Sequence, residues 1–438
     1  MSVSKKALGL LCPAAQEAFF SAQRASEEGD DYPLRAFAAL RTYPVPIEEF
    51  IRDPNYLGSG AIYPEVMKAL IELNNPKLPG CKYRSRLWSC YSEAILTGGI
   101  GVAKSTIAIY SMLYQVYILS CFRTPHSYFE LDPASEIVIV FQNRTEQLAK
   151  AVDYDRFKAL AHQSPYFREQ FPFDHRIQSK LRFPNRIIVK PVSGADTAVI
   201  GQNVLGGVLD EVNFMETVEK SHRSYDRRNY DQASALYESI ARRRASRFQK
   251  RGHLPGLLCL VSSRRYPGQF TDQREAERTR QLQKTGETAI FLYAPKIWEI
   301  KPKGTYSGEM FRVFIGNYAQ QPRILTPDEL LTAEDQALVM NVPIEHRQEF
   351  ERDILNALRD IAGVSTLAIH PFLTNREAID KCFLNSPPVL SRQETDLSTT
   401  KLKLLYAKIQ HPKLIRFAHL DLSVSYDATG IVVGCVDR

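Results

Sequence analysis

The chain is 438 residues long, with 44% hydrophobic residues, 24% charged residues and a formal net charge of +7, as expected of a globular protein of two or three domains. No apolar run reaches the roughly 20 residues that span a bilayer, and Pro13 breaks the N-terminal apolar patch, which argues against a signal peptide. Seven scattered cysteines without a CxxC pair, and nine dispersed histidines, exclude a zinc-cluster pattern and read as reduced thiols.

Residues 1–84 carry apolar positions at helical spacing, as in "PAAQEAFFSAQRASEEGDDYPLRAFAALRTY", and read as an N-terminal helical extension. From 85 to 295 short aliphatic or β-branched runs alternate with helical stretches; the strand candidates are 92–97, 136–141, 186–192, 203–210 and 256–263. Runs apolar on both faces and separated by helices predict an α/β fold, a mostly parallel sheet flanked by helices. Residues 296–385 predict a small mixed subdomain with one long helix over "PIEHRQEFERDILNALRDIAG". A polar stretch with a proline pair makes 386–413 a linker, and 414–438 reads as two strands around a turn.

Between the first strand and its helix lies "TGGIGVAKST", which matches the phosphate-loop pattern G-x-x-x-x-G-K-[ST] at every fixed position except Ala103. Gly98, Gly99, Ile100, Gly101 and Val102 would aim main-chain N–H groups at phosphates over a helix N-terminus. Lys104 would reach the β- and γ-phosphates, Ser105 would hold Mg²⁺, and Thr106 follows in the first helical turn. At a right-handed helix start the methyl of Ala103 costs almost nothing; in a left-handed backbone it would cost roughly 1–2 kcal/mol. The expectation is the right-handed case.

"NVLGGVLDEVNFME" ends an apolar strand in Asp210 and Glu211. Ligands of parallel α/β sheets bind at the C-terminal ends of strands. Asp210 could therefore hold the Mg²⁺ through water, and Glu211 would point at the γ-phosphate and orient the attacking water as base. "LVSSRRYPGQFTD" ends another buried strand at Ser262 and Ser263, whose hydroxyls could sense the γ-phosphate and couple hydrolysis to movement. That strand is expected beside the Asp210 strand.

"GGIGVAKST", "VLDEVNFME", "LVSSRRYPGQFTD" and the terminal "HLDLSVSYDATGIVVG", in this order from about residue 85 onward, resemble the large terminase subunits of tailed bacteriophages. The resemblance implies a P-loop NTPase (ASCE-type) ATPase domain over 85–295, a lid over 296–385, and a linker to an RNase H-like nuclease domain. It implies ATP and Mg²⁺ as cofactors, with two divalent metals in a complete nuclease domain. It also implies a homo-oligomeric ring that docks on the portal protein of a capsid and translocates double-stranded DNA, assisted by a small terminase subunit. The corresponding location is the host cytoplasm and, transiently, the procapsid. Residues 414–438 would be the first nuclease hairpin, with Asp421 as first metal ligand and Asp427 a turn former. The remaining carboxylates would follow residue 438, so the expectation is a motor without a working nuclease.

Residues 220–251 hold ten Lys/Arg against three Asp/Glu, equal to the whole net excess. Such a stripe suits a polyanion. Within it Arg243, Arg244 and Arg247 are candidates either for sequence-independent phosphate contacts or for a contact between ring neighbours. Arg144 is the candidate for an arginine acting in trans on a neighbour's γ-phosphate.

Overall fold

The short aliphatic runs become the strands of one sheet, because each is apolar on both faces and helices cover both sides. The computed structural model describes residues 11–76, 87–143, 145–192, 201–215, 217–218, 230–317, 320–326, 329–366, 416–421 and 430–435. In chain order the strands are β1 (Glu93–Leu96), β2 (Ile137–Gln142), β3 (Leu181–Phe183), β4 (Ile187–Val192), β5 (Asn203–Asp210), β6 (Thr217–Val218), β7 (Tyr230–Asp231), β8 (Leu258–Val261) and β9 (Ile290–Tyr293). Seven of them form a sheet of order β3-β4-β2-β5-β8-β1-β9. All pairings are parallel except β3 with β4. The strand carrying Ser262 thus intervenes between the phosphate-loop strand and the Asp210 strand. The short strands β3 and β9 extend the sheet at its edges, beyond the five that the sequence predicts.

Helix α5 (Lys104–Ser120) follows the phosphate loop, and every residue from Ile107 to Ser120 is buried. A helix that is apolar all round belongs in a core. Of the helices that precede it, α1 (Pro13–Glu27), α2 (Tyr32–Ala38), α3 (Ile47–Arg52) and α4 (Pro64–Leu73), the last two pack on its outer side. Phe50 is fully buried and stacks on Tyr117 with ring centroids 4.8 Å apart, while Tyr114 Oη donates to the Val45 carbonyl at 2.8 Å. Helices α2 to α4 therefore share one core with the sheet.

After α6 (Pro125–Phe129) and β2, a helix begins over Glu146–Ala149, passes through a π-helical turn at Lys150–Tyr154 and continues as α7 (Asp155–Gln163). Helix α8 (Gln232–Phe248) starts with Asp231 capping Ala233 and Ser234, and α9 (Phe270–Thr285) follows β8. A separate cluster centred on Phe311, Val313, Phe350 and Leu358 holds the antiparallel strands β10 (Met310–Phe314), β11 (Arg323–Ile324) and β12 (Val339–Pro343).

The single long helix expected after Pro343 is two short ones, α10 (Arg347–Arg352) and α11 (Ile354–Asp360). Asp353 leaves helical geometry at φ −156° and ψ 90°, and its carboxylate caps the Asn356 N–H at 3.0 Å. Capping competes locally with helix continuation. In the second of two contact units, β13 (Arg416–Asp421) and β14 (Gly430–Cys435) pair antiparallel with Asp421 opposite Gly430. Asp427 lies outside the described residues. Cys90 is disulfide-bonded, which corrects the expectation of reduced thiols throughout; Cys12, Cys121 and Cys259 are free. Among the described residues no helix is long and apolar enough to cross a membrane.

Candidate active site

The phosphate loop leaves β1 through buried Thr97 and turns at Gly98 and Gly101, with φ of 106° and 78°. Tyr293 anchors it from β9: its hydroxyl donates to the Val102 carbonyl at 2.7 Å, and its own carbonyl accepts the Thr97 N–H at 2.8 Å. Ala103 adopts φ 66° and ψ 26° as the residue before α5. This corrects the right-handed expectation. The loop keeps the left-handed turn that glycine would take freely, and the methyl carries the strain of roughly 1–2 kcal/mol.

Lys104 Nζ donates to the carbonyls of Gly98 at 3.2 Å and Gly99 at 2.7 Å, and to Ser263 Oγ at 3.3 Å. Burial pulls its pKa down, opposed by the charges of Glu211, Asp210 and Asp360. The lysine, both strand-end carboxylates and Ser263 thus occupy one neighbourhood, although they are drawn from two different strand ends and a helix start.

Asp210 closes β5 and is 6% exposed. It accepts Asn143 Nδ2–H at 3.0 Å. Burial, with the neighbouring carboxylates of Asp153 and Glu211, raises its pKa. Asp153, from the π-helical turn, touches both the Asp210 carboxyl and the Ser105 hydroxyl. Glu211 sits at φ 55°, and its Oε2 is buried without a hydrogen-bond partner. Desolvation raises its pKa, while Lys104 and Arg265 oppose the rise. A carboxylate lifted toward neutrality in this way is suited to accept a proton.

Ser262 Oγ accepts the Asn213 N–H at 3.1 Å. Asn213 Nδ2 donates to the Ser263 carbonyl at 3.1 Å and to Thr271 Oγ1 at 2.8 Å, and Asn213 Oδ1 accepts the Thr271 N–H at 3.1 Å. Asn213 therefore fastens the segment after Glu211 to the serine strand and to α9. Sequence reasoning missed Asn213, Asn143, Asp153 and Arg265. Asn213 and Arg265 lie within the quoted motifs, whereas Asn143 and Asp153 follow β2 with no pattern to mark them. Arg264 is ion-paired with Glu275 at 2.5 Å, and the Arg265 guanidinium lies over Phe214 at 4.7 Å. Thr106 Oγ1 accepts from Arg156 Nη2 at 3.0 Å.

The basic stripe is partly corrected. Arg244 is 2% exposed, and its guanidinium donates to the carbonyls of Leu205, Ser92 and Pro255 at 2.9, 3.0 and 3.4 Å. It locks α8 onto the sheet and cannot reach a polyanion. Arg243 is half-buried and bonds the Ser239 carbonyl at 2.6 Å, while Arg247 is exposed. Arg144 and residues 219–229 lie outside the described residues.

Among the described residues no three His, Cys, Asp or Glu side chains converge as a metal cluster. The donor set does fit a magnesium-bound phosphate. Ser105 and Asp210 are hard oxygen donors, Glu211 Oε2 and Asp153 Oδ1 are buried without partners, and Lys104 supplies the cation.

Residues 22–319 match the family model described as "Uncharacterized protein MJ0330, N-terminal P-loop domain". No curated protein matches the chain. Among solved structures it is similar to the large terminase of bacteriophage HK97, with 14% identity, a TM-score of 0.43, and coverage of 89% of this chain and 64% of that one. It is also similar to the large terminase of a thermophilic bacteriophage, with 13% identity, a TM-score of 0.36, and coverage of 70% of this chain and 54% of that one. The same thermophilic phage protein in complex with ADP matches with 12% identity, a TM-score of 0.34, and coverage of 68% of this chain and 75% of that one. These superpositions are loose. The chain spans between half and two thirds of the length of the first two structures' chains.

Proposed function

The chain belongs to the family of the MJ0330 N-terminal P-loop domain, and from that premise we propose that it is an ATP-hydrolysing motor subunit of the large-terminase kind, moving double-stranded DNA. The observation that carries this reading is the gathering of Lys104, Asp210, Glu211 and Ser263 at one end of the parallel sheet. The order of the four motifs along the sequence adds the terminase resemblance.

In this reading the loop N–H groups of Gly99 to Lys104 bind the β- and γ-phosphates, and the Lys104 ammonium leaves the Gly98 and Gly99 carbonyls to meet them. Magnesium, when bound through Ser105 and Asp210, neutralises phosphate-oxygen charge. Glu211 Oε2 orients the attacking water and takes its proton, and Arg265 holds positive charge nearby. Ser263 passes from the lysine toward the γ-phosphate, so phosphate loss is felt by Asn213 and α9. DNA is gripped through phosphates by exposed arginines such as Arg247. The ring, the portal protein and the small subunit are the partners this function requires.

One observation favours a second reading, a non-hydrolysing DNA- or capsid-binding module whose loop binds nucleotide weakly: the Ile100 N–H, one of the loop donors, is already taken by the Asp360 carbonyl at 2.5 Å. Magnesium-dependent ATP turnover of the purified chain, with and without duplex DNA, tests both. DNA-stimulated turnover lost in Lys104→Ala and in Glu211→Gln is expected. Equal rates in parent and Lys104→Ala end the ATPase reading, and weak or absent ATP binding without turnover selects the second.

A further inference from the structure

Asp153 lies on the π-helical turn Lys150–Tyr154 that interrupts the helix after β2. It is 3% exposed, yet it is not packed among apolar groups alone: its carboxyl contacts Asp210 and the Ser105 hydroxyl. Its Oδ1 has no hydrogen-bond partner. Two carboxylates in contact away from water need an opposite charge or a shared proton, because burying like charges together is costly.

The nearby cations offset this charge only from a distance, Arg156 acting on Asp153 and Lys104 on Asp210, while their hydrogen bonds go elsewhere. Arg156 Nη2 bonds Thr106 Oγ1, and Lys104 bonds the loop carbonyls and Ser263. Among the described residues neither Asp153 nor Asp210 forms an ion pair. π-helical turns often carry functional side chains, because the extra residue re-aims one position out of the helical register. Here that position is turned onto the hydroxyl that a phosphate loop uses for its metal.

We propose that Asp153 is a second carboxylate of the nucleotide's magnesium site, acting with Asp210 and Ser105. This rests on the nucleotide-binding reading. It makes the metal site of this chain a two-carboxylate one, with a higher demand for a divalent cation than a single strand-end aspartate would create. Hard oxygen donors of this kind select Mg²⁺ or Mn²⁺ over softer ions.

The test is metal binding, not turnover. Free Mn²⁺ is followed by electron paramagnetic resonance while it is titrated into the full chain saturated with ADP; ADP affinity is measured separately in EDTA by equilibrium dialysis. Asp153→Asn is expected to weaken Mn²⁺ binding about tenfold or more and not to weaken metal-free ADP binding, because it removes a negative charge beside the phosphates. Asp153→Cys is expected to lose Mn²⁺ affinity and gain Cd²⁺ affinity, which a purely structural acid would not produce. Mn²⁺ affinity equal to the parent's in Asp153→Asn overturns the proposal and leaves the nucleotide site standing. If the Asn variant does not fold, a Cys variant without a Cd²⁺ preference overturns it instead. A parent chain that binds no ADP, with or without metal, removes the underlying reading as well.

Discussion

The Ile100 N–H donates to the Asp360 carbonyl at 2.5 Å, so the end of α11 rests on the phosphate loop through main chain alone. Gly363 makes that approach possible. It has φ +67°, and a Cβ there would lie 2.5 Å from Gly99 N and 2.6 Å from Gly98 Cα. Gly363→Ala is expected to push this segment off the loop, lower stability by about 1–3 kcal/mol, and speed nucleotide association. Stopped-flow mixing with a fluorescent nucleotide reads the rate. An unchanged rate would mean that the Ile100 contact does not gate entry.

Ala103 holds the left-handed turn at a cost of roughly 1–2 kcal/mol. Glycine loses about 0.5–1 kcal/mol more chain entropy on folding than alanine does. The difference leaves Ala103→Gly stabilising by up to about 1.5 kcal/mol. Urea denaturation midpoints compare the two chains, and a destabilised glycine variant would contradict the strain assigned here.

Asn213 bridges the Glu211 segment, the serine strand and α9 with its own side chain. Asn213→Ala removes both ends of that bridge and leaves the Thr271 N–H buried without a partner. A loss of about 2–4 kcal/mol is expected, since each unmet buried group costs about 1–3 kcal/mol. If Ser263 passes phosphate loss to α9 through Asn213, a folded variant turns over ATP without stimulation by DNA. Retained DNA stimulation would place the coupling elsewhere.

Arg244 and Arg247 are three residues apart and do different work. Arg244→Ala strands the carbonyls of Leu205 and Ser92 and empties buried volume, so a loss of at least about 3 kcal/mol is expected. Arg247→Ala is expected to leave stability within about 0.5 kcal/mol and to lower the salt dependence of DNA binding. Thermal melts and salt-series binding isotherms separate the two effects, and the reverse pattern would exchange their roles.

His253 is buried with its Nε2–H donated to the Ser89 carbonyl at 2.9 Å. Burial holds its pKa below the ordinary 6.5. The unfolded chain then takes up a proton that the folded chain resists, so this contribution is complete above pH 6.5 and is lost as pH falls below it. The slope is at most about 1.4 kcal/mol per pH unit. Denaturation between pH 7 and 5 in parent and His253→Gln is expected to show the smaller pH dependence in the variant.

The phosphate loop and the Asp210–Glu211 pair were legible in the linear sequence because main-chain geometry ties their chemistry to fixed spacing. A strand must end, glycines must turn, and a lysine must open the helix. The parallel sheet was legible for a related reason: strands buried on both faces are apolar throughout, as "IVIVFQ" and "NVLGGVLD" are. The edge strand β3 lacked that signal because only its alternate residues are buried, and β9 lies in a short run that periodicity cannot assign.

Three-dimensional packing alone decided the rest. Arg244 and Arg247 share one basic run, and only the contact of α8 with β5 turns the first inward. Asp153 reaches Asp210 and Ser105 through a π-helical turn, and Asn213 is tied in through three hydrogen bonds to residues about 50 positions or more away. Spacing along a chain encodes what neighbouring residues do to each other; burial and the partners of a charge depend on which distant segments fold against it.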